Sequence, residues 1–142
     1  MYINSNQLNT INPIGENQQK VFDAWAKEKN LFLSGSAGTG KTFILLHLAF
    51  KAVLDKGQPF DKVVIVRSLL PSRDIGFLPG TLEEKSDLYQ DPYRILVRYL
   101  FEMPSDQGHE QLYDKLAGQG SLKFYSTSFL RGQTFDRSII IV

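Results

Sequence analysis

The sequence contains no cysteine among its 142 residues. This absence excludes disulfide scaffolds, zinc sites built on thiolates, iron–sulfur clusters and thiol catalysis. An excess of one charge is also missing, because 16 Lys and Arg residues stand against 15 Asp and Glu residues and leave a formal net charge of +1. The chain as a whole therefore has no strong electrostatic attraction to nucleic acid, and such a partner would require a local basic patch.

Long apolar runs are absent as well. No run approaches the roughly 18–20 residues that span a bilayer, and the first residues lack the pattern of a signal peptide. We therefore expect a cytoplasmic protein with no membrane partner. Hydrophobic residues make up 42% of the chain and charged residues 22%, which is the balance of a folded domain. The pattern predicts an extended lead-in over 1–15 and one domain over 16–142.

Apolar periodicity alternates between helical and strand patterns along this domain. The predicted helices cover, in chain order, 16–30, 41–57, 91–104 and 111–117. Asp91 and Pro92 mark the start of the third helix as its cap and first residue. The predicted strands are 31–33, 62–67, 122–125 and 138–142. The order of these elements predicts an α/β fold with a mainly parallel sheet and flanking helices.

One segment carries a complete chemical motif, G-x-x-x-x-G-K-[ST]. It consists of Gly35, Ser36, Ala37, Gly38, Thr39, Gly40, Lys41 and Thr42. Gly38 and Gly40 allow backbone angles that turn several N–H groups toward phosphate oxygens. The lysine would reach the β- and γ-phosphates, and the last hydroxyl would coordinate Mg²⁺. The motif predicts a nucleotide site between an apolar strand and an amphipathic helix.

The phosphate loop alone does not identify the reaction, because kinases, GTPases, ATPases and helicases share it. A GTPase would be expected to carry an Asn-Lys-x-Asp segment, and none occurs. Gln18, one helix upstream of the loop, could offer its amide to the edge of adenine, or it could be a solvated residue at a helix start. His47 and His109 lack metal-ligand partners at useful spacing and are interpreted as structural or solvated.

Two further motifs accompany the loop: Gly76-Phe77-Leu78-Pro79-Gly80, and the segment 128–135 (Ser-Phe-Leu-Arg-Gly-Gln-Thr-Phe). Together the three resemble the PhoH-like family of bacterial and bacteriophage ATPases, over about 17–142. The resemblance implies a RecA-like P-loop NTPase fold with a superfamily-one helicase-like core. It implies ATP and Mg²⁺ as cofactors, Lys41 and Thr42 as catalytic residues, and Gln18 as a contact to adenine.

By the same resemblance, RNA or single-stranded DNA is a partner and the protein assembles into homo-oligomeric rings. Arg67 would occupy the place of a motif that faces nucleic acid. The family usually has proline after this arginine, where this sequence has Ser68, so an ion pair with a carboxylate is the alternative role. Arg131 follows a strand end, where it could contact phosphate or nucleic acid.

The final strand, Ser138–Val142, raises an expectation about the catalytic carboxylates. In P-loop ATPases of this type such a strand delivers an acidic pair for Mg²⁺ and the attacking water, and no such pair follows Val142. We expect the 142 residues to be the N-terminal part of a longer ATPase and to be inactive alone. The alternatives are a non-catalytic nucleotide-binding interaction module or a small-molecule P-loop kinase, which the dispersed arginines do not favour.

Overall fold

The elements of the computed structural model follow the predicted order, and the structure describes residues 2–38, 40–68 and 82–142. The helices are α1 Gly15–Ala26, α2 Lys41–Leu54, α3 Leu82–Leu100 and α4 Asp106–Gly118. The strands are β1 Lys62–Arg67, β2 Leu122–Ser126 and β3 Ser138–Ile141. Short 3₁₀ helices cover Ser5–Gln7 and Thr127–Phe129. The predicted motif at 76–80 and residue Thr39 lie outside the described residues.

The three described strands form one parallel sheet in the order β2-β1-β3. Val63 of the central strand is in register with Leu122 on one side and Ile139 on the other. Residues 63–66 of β1 are all buried, as expected for the middle strand of a helix-covered sheet. The prediction of an α/β fold with a parallel sheet is confirmed.

Helix α2 lies at the centre of the hydrophobic core. It packs against β1 and β3 and contacts α3, and most of its residues after the first turn are buried. A helix that is apolar on nearly every side is expected to be enclosed in this way. Its Phe50 meets Phe101 edge to face, with ring centroids 5.5 Å apart. The contact joins α2 to the segment that leaves α3.

The predicted strand at 31–33 is wrong, because these residues form no strand and Phe32 is 94% exposed. An apolar run becomes a buried strand only when a neighbouring strand pairs with its backbone. Within the described residues the sheet ends at β3, which pairs with β1 alone. Ile140 on β3 is correspondingly half exposed. Residues 31–33 therefore have no neighbouring strand to pair with among the described residues.

The predicted start of the third helix is also wrong, because α3 begins at Leu82 and runs through Pro92. Proline removes one N–H, and therefore one i→i−4 hydrogen bond, from a helix. The turns on either side keep theirs, so the helix continues. Helix α4 begins five residues earlier than predicted, since the Ser105 hydroxyl caps it by accepting from the N–H of Gly108 at 3.0 Å.

The first residues, although mostly extended, are attached to the domain. Ile3 is fully buried in the core. Its N–H donates to Gln119 Oε1 at 2.8 Å, and its carbonyl accepts from Gln119 Nε2 at 2.9 Å. Leu8 pairs with Phe101 as an isolated antiparallel bridge. Among the described helices, none is both long and apolar enough to cross a membrane.

Candidate functional site

The loop before α2 has the backbone shape that binds anions. Gly38 and Gly40 both have φ +81°, a left-handed conformation that other residues adopt only with strain. Gly40 is the N-cap of α2, and no side chain caps the helix there. The N–H groups of the first turn of α2 therefore have no capping side-chain acceptor, and the positive end of the helix dipole faces the loop.

Lys41 is folded over this loop. Its Nζ donates to the carbonyl oxygens of Gly35 and Ser36, each at 2.7 Å. Phosphate oxygens bind an ammonium group more strongly than neutral carbonyls do, because both partners are then charged. Thr42 is exposed on the first turn of α2 and is the described residue placed to offer a hydroxyl to Mg²⁺. An ammonium group and a hydroxyl at these positions fit a Mg²⁺-bound triphosphate.

Gln18 lies beside the loop although it belongs to α1. A Cβ built on Gly40 would be 4.0 Å from Gln18 Nε2. The Oε1 of the same amide accepts from the N–H of Ile14 at 2.6 Å, which fixes the side chain across the start of α1. The amide NH₂ group thus faces the phosphate loop. The structure brings Gln18 and the loop together, as a nucleotide site with an adenine contact would require.

The loop lies at the carboxyl edge of the sheet. Helix α2 packs on β1 and is joined to it by the short connection 55–61, so the two run in opposite directions. A 14-residue helix is about 21 Å long, and a six-residue strand is about 20 Å long. The start of α2 is therefore level with the end of β1. Ligands of parallel sheets bind at this edge.

Arg67 is at the end of β1, on the same edge. Its guanidinium carbon lies 5.5 Å from the centre of the Tyr89 ring, a cation–π contact between β1 and α3. The expected alternative, an ion pair with a carboxylate, is not found for Arg67 in the described parts of the chain. The side chain is exposed and held by an aromatic ring.

Arg131 follows β2 and the 3₁₀ helix Thr127–Phe129. A hydrogen bond from the N–H of Gln133 to the carbonyl of Leu130, at 3.0 Å, closes a tight turn. Arg131 and Gly132 are the central residues of this turn, and the glycine has φ +82°. Since β1 and β2 are parallel neighbours, their ends lie at one edge of the sheet. Arg67 and Arg131 are thereby placed on the same side as the phosphate loop.

Two buried side chains each have a polar atom without a hydrogen-bond partner among the described residues: Ser126, which the sequence interpretation did not single out, and His47, which it interpreted as structural or solvated. Ser126, the lateral neighbour of Arg67, is buried with no hydrogen-bond partner for its Oγ. His47 on α2 is 3% exposed, and its Nδ1 has no partner. Burial, and secondarily the charge of Lys51, lowers the pKa of His47 below 6.5. For His47, the sequence signal that indicates burial is its place inside the otherwise apolar run Leu45–Phe50.

The three strands in the described sheet end in Arg67, Ser126 and Ile141, so no carboxylate stands at a strand end near the loop. Asp136 precedes β3 and lies at the opposite edge, where its carbonyl accepts from Ser138 Oγ at 2.8 Å. Asp61 at the same opposite edge pairs with Arg137 at 2.9 Å. Both acidic residues thus lie far from the phosphate loop, and the carboxylate of Asp61 is paired there.

Comparisons with known proteins identify the family of the chain. A family model described as "PhoH-like protein" matches residues 10–142. The PhoH-like protein of Mycobacterium leprae is 31% identical over 134 residues, which is 94% of this chain and 36% of the relative. Protein PhoH of Escherichia coli K12 is 31% identical over 130 residues, or 89% of this chain and 34% of the relative.

Protein PhoH2 of Bacillus subtilis is 32% identical over 111 residues, covering 78% of this chain and 24% of the relative. The chain therefore spans about a third or less of the length of these relatives. No solved structure matches it at a significant level.

Proposed function

Because the chain belongs to the PhoH-like protein family and has its P-loop NTPase fold, we propose that it binds ATP at residues 35–42. The proposal extends to Mg²⁺-dependent hydrolysis of that ATP. One observation carries it. The Lys41 ammonium is held over a left-handed glycine loop at the uncapped start of α2. These features together offer backbone donors, a helix dipole and a movable cation to a triphosphate.

On binding, the phosphates would receive the N–H groups of the loop and of the first turn of α2. Lys41 would exchange the carbonyls of Gly35 and Ser36 for β- and γ-phosphate oxygens. The Thr42 hydroxyl would ligate Mg²⁺, which neutralises charge on the phosphates when bound. Gln18 would present its amide NH₂ to the acceptor nitrogens of adenine. The positions of Lys41, Thr42 and Gln18 around the loop support these proposed roles.

Efficient hydrolysis needs a side chain that orients the attacking water, and in ATPases of this type we expect a carboxylate in that role. The described strand ends supply none, so we propose that efficient turnover depends on an acidic residue outside them. The 142 residues alone are then expected to bind nucleotide and hydrolyse it slowly. A carboxylate elsewhere in the chain would give the opposite result, fast turnover by the 142-residue protein that disappears in Lys41→Ala.

The binding proposal is tested by titrating the protein with Mg²⁺·ATP in a calorimeter. Lys41→Ala removes the cation and should weaken binding by at least about tenfold, since one charge-assisted contact contributes 1.4 kcal/mol or more. Lys56→Ala, at an exposed lysine beyond the other end of α2, is the matched control. Equal affinities of Lys41→Ala and the unchanged protein would refute the assignment. ATP binding with no turnover, even in a longer protein, would favour a non-catalytic nucleotide-binding module.

We also propose single-stranded RNA or DNA as a partner. The observation in favour is that Arg67 and Arg131 are both exposed on the edge that carries the phosphate loop. Arg131→Glu should reduce oligonucleotide binding, and affinity should fall steeply with salt because phosphate contacts release counterions. Arg137→Glu, at the opposite edge, is the control. Retained oligonucleotide binding by Arg131→Glu, or none by the unchanged protein at low salt, would remove this proposal.

Assembly into homo-oligomeric rings is proposed from the family resemblance alone, and a cytoplasmic location from the lack of long apolar runs in the sequence. Ring assembly is tested by sedimentation velocity with and without Mg²⁺·ATP. A single monomeric species under both conditions would contradict it. Fractionation of cells that produce the tagged protein tests the location.

A further inference from the structure

Helix α1 carries Gln18 to the phosphate loop, yet little holds this helix to the domain. No residue of α1 is buried. None of its residues belongs to the hydrophobic core or to the partly buried side chains packed against that core. A helix without a buried face gains little packing energy, so its position depends on a few individual contacts. The position of Gln18 depends on the same contacts.

One ring contact joins α1 to α2. Phe22 and His47 have ring centroids 6.2 Å apart and planes inclined by 34°. Phe22 is four residues after Gln18, so the two side chains lie on one face of α1, one turn apart. His47 is six residues after Lys41, about 9 Å along α2 at 1.5 Å per residue. The contact therefore sits directly behind the place where Gln18 meets the loop.

His47 is an unusual residue for this position. Its ring is buried, and Nδ1 has no hydrogen-bond partner. An unsatisfied buried polar atom is unfavourable, and an apolar side chain of similar shape would avoid that cost. Burial lowers the pKa of the imidazole, so the ring is neutral at pH 7 and packs as an aromatic group. The ring of His47 gives Phe22 an aromatic surface to pack against.

We propose that Phe22 and His47 are positioning residues that hold Gln18 against the phosphate loop and so confer the preference for a nucleotide with a base over a bare polyphosphate. This inference rests on the proposed ATP site and deepens it. The loop and Lys41 bind the phosphates, whereas the Phe22–His47 contact determines whether the amide of Gln18 can reach the base. Loss of the contact should therefore affect recognition of the base and leave phosphate binding intact.

The test compares the affinity for Mg²⁺·ATP with that for Mg²⁺·tripolyphosphate, which has the phosphates without the nucleoside. Phe22→Ala and His47→Ala should weaken ATP binding by about five- to tenfold, the size of one lost hydrogen bond to the base. Tripolyphosphate affinity should change less than about twofold, because the loop is unaltered. His47→Phe retains an aromatic ring without the orphan nitrogen and should restore the ATP preference.

The controls separate positioning from general stability. Tyr93 and Phe124 form a comparable pair between α3 and β2, with centroids 5.9 Å apart and no link to the loop. Tyr93→Ala should lower stability without changing the ratio of the two affinities. Gln18→Ala should weaken ATP binding as much as Phe22→Ala does. The variant with both substitutions should bind ATP no more weakly than Gln18→Ala alone, since both residues act through one amide.

If Phe22→Ala leaves the ratio of the affinities for ATP and tripolyphosphate unchanged, the inference is overturned while the ATP site stays in place. An unchanged protein that binds ATP and tripolyphosphate equally would do the same, because no base recognition would exist to be positioned. If the unchanged protein binds neither ligand, the proposed function fails and the inference fails with it. Phe22 is only half-buried, so its variant is expected to fold even if His47→Ala does not.

Discussion

Two regions of this protein differ sharply in how they are held. The packed body consists of the sheet, α2, α3 and α4, with side chains such as Phe50 and Leu112 fully buried. The nucleotide flank consists of α1 and residues 27–40; α1 has no buried residue, and Phe32 in the connection is almost fully exposed. The two regions meet where α2 begins, so the phosphate loop is anchored by the body on one side only.

This difference suggests how stability and function are distributed. Regions with few buried apolar contacts open at low free-energy cost, and ligand-binding segments belong to this class because they must admit a ligand. The body includes α2 with its buried residues, while the flank carries Gln18 and the carbonyls of Gly35 and Ser36 that accept from Lys41. Substitutions in the body should therefore change the free energy of unfolding, and substitutions in the flank should change binding.

The largest stability effect should come from Phe50→Ala. This substitution leaves a cavity beside Phe101 in the middle of the body and should lower the free energy of unfolding by about 3–5 kcal/mol. Phe32→Ala in the flank is the matched control and should change it by less than about 0.5 kcal/mol. Urea denaturation of both variants measures the contrast. Similar losses for the two phenylalanines would show that the flank is as well packed as the body.

A smaller decrease in the free energy of unfolding is expected for Gln119→Ala. The amide of Gln119 binds both backbone groups of Ile3 and donates to Ser121 Oγ at 2.8 Å. Without it these buried groups lose their partner, which should cost about 1–3 kcal/mol. Gln107→Ala, at an exposed glutamine on the first turn of α4, serves as the control in the same urea measurement. An unchanged midpoint for Gln119→Ala would mean that the first residues are not part of the body.

His47, at the boundary between the two regions, should make the free energy of unfolding depend on pH. Its pKa in the folded protein is below 6.5. As pH falls through 6.5 the unfolded chain gains a proton that the folded protein does not, so stability decreases until pH drops below the folded pKa. His47→Phe should remove this component. The free energy of unfolding of the unchanged protein and of His47→Phe, measured between pH 7.5 and about 5, shows this component as a difference in pH dependence. The two proteins should show the same pH dependence if His47 is solvated.

The smallest effect should come from Lys20→Ala in α1. Lys20 and Glu16 form an ion pair at 3.8 Å with both side chains largely exposed. Exposed pairs of this kind contribute about 0–0.5 kcal/mol and are screened by salt. Urea denaturation at low and high salt should show almost no difference from the unchanged protein. A loss above about 1 kcal/mol would mean that α1 stabilises the body more than its exposure indicates.

Much of the architecture was predictable because short-range signals coincide with it. The run 62–67 is β-branched and apolar throughout, and the structure buries it as the central strand. The G-x-x-x-x-G-K-[ST] spacing predicts a loop followed by a helix, and Gly40 caps α2 with the left-handed angle that only glycine adopts easily. In both cases a few consecutive residues contain all the information needed.

The errors have a common physical origin in distant parts of the chain. Residues 31–33 have the composition of a strand, but strand formation depends on a partner that no local pattern reveals. Pro92 has the chemistry of a helix start, yet α3 continues through it and contacts α2 and α4. The first residues show no periodic pattern, and their attachment depends on Gln119, more than a hundred positions away.

By itself, then, the sequence determined the phosphate loop, the order of helices and strands and the family, because backbone angles and apolar periodicity are local properties. Only the tertiary structure decided that Gln18 lies against Gly40, that Arg67 rests on Tyr89, and that His47 is buried opposite Phe22. Each of these contacts joins two separate elements. Their existence depends on how the helices pack on the sheet, and packing is a property of the whole chain.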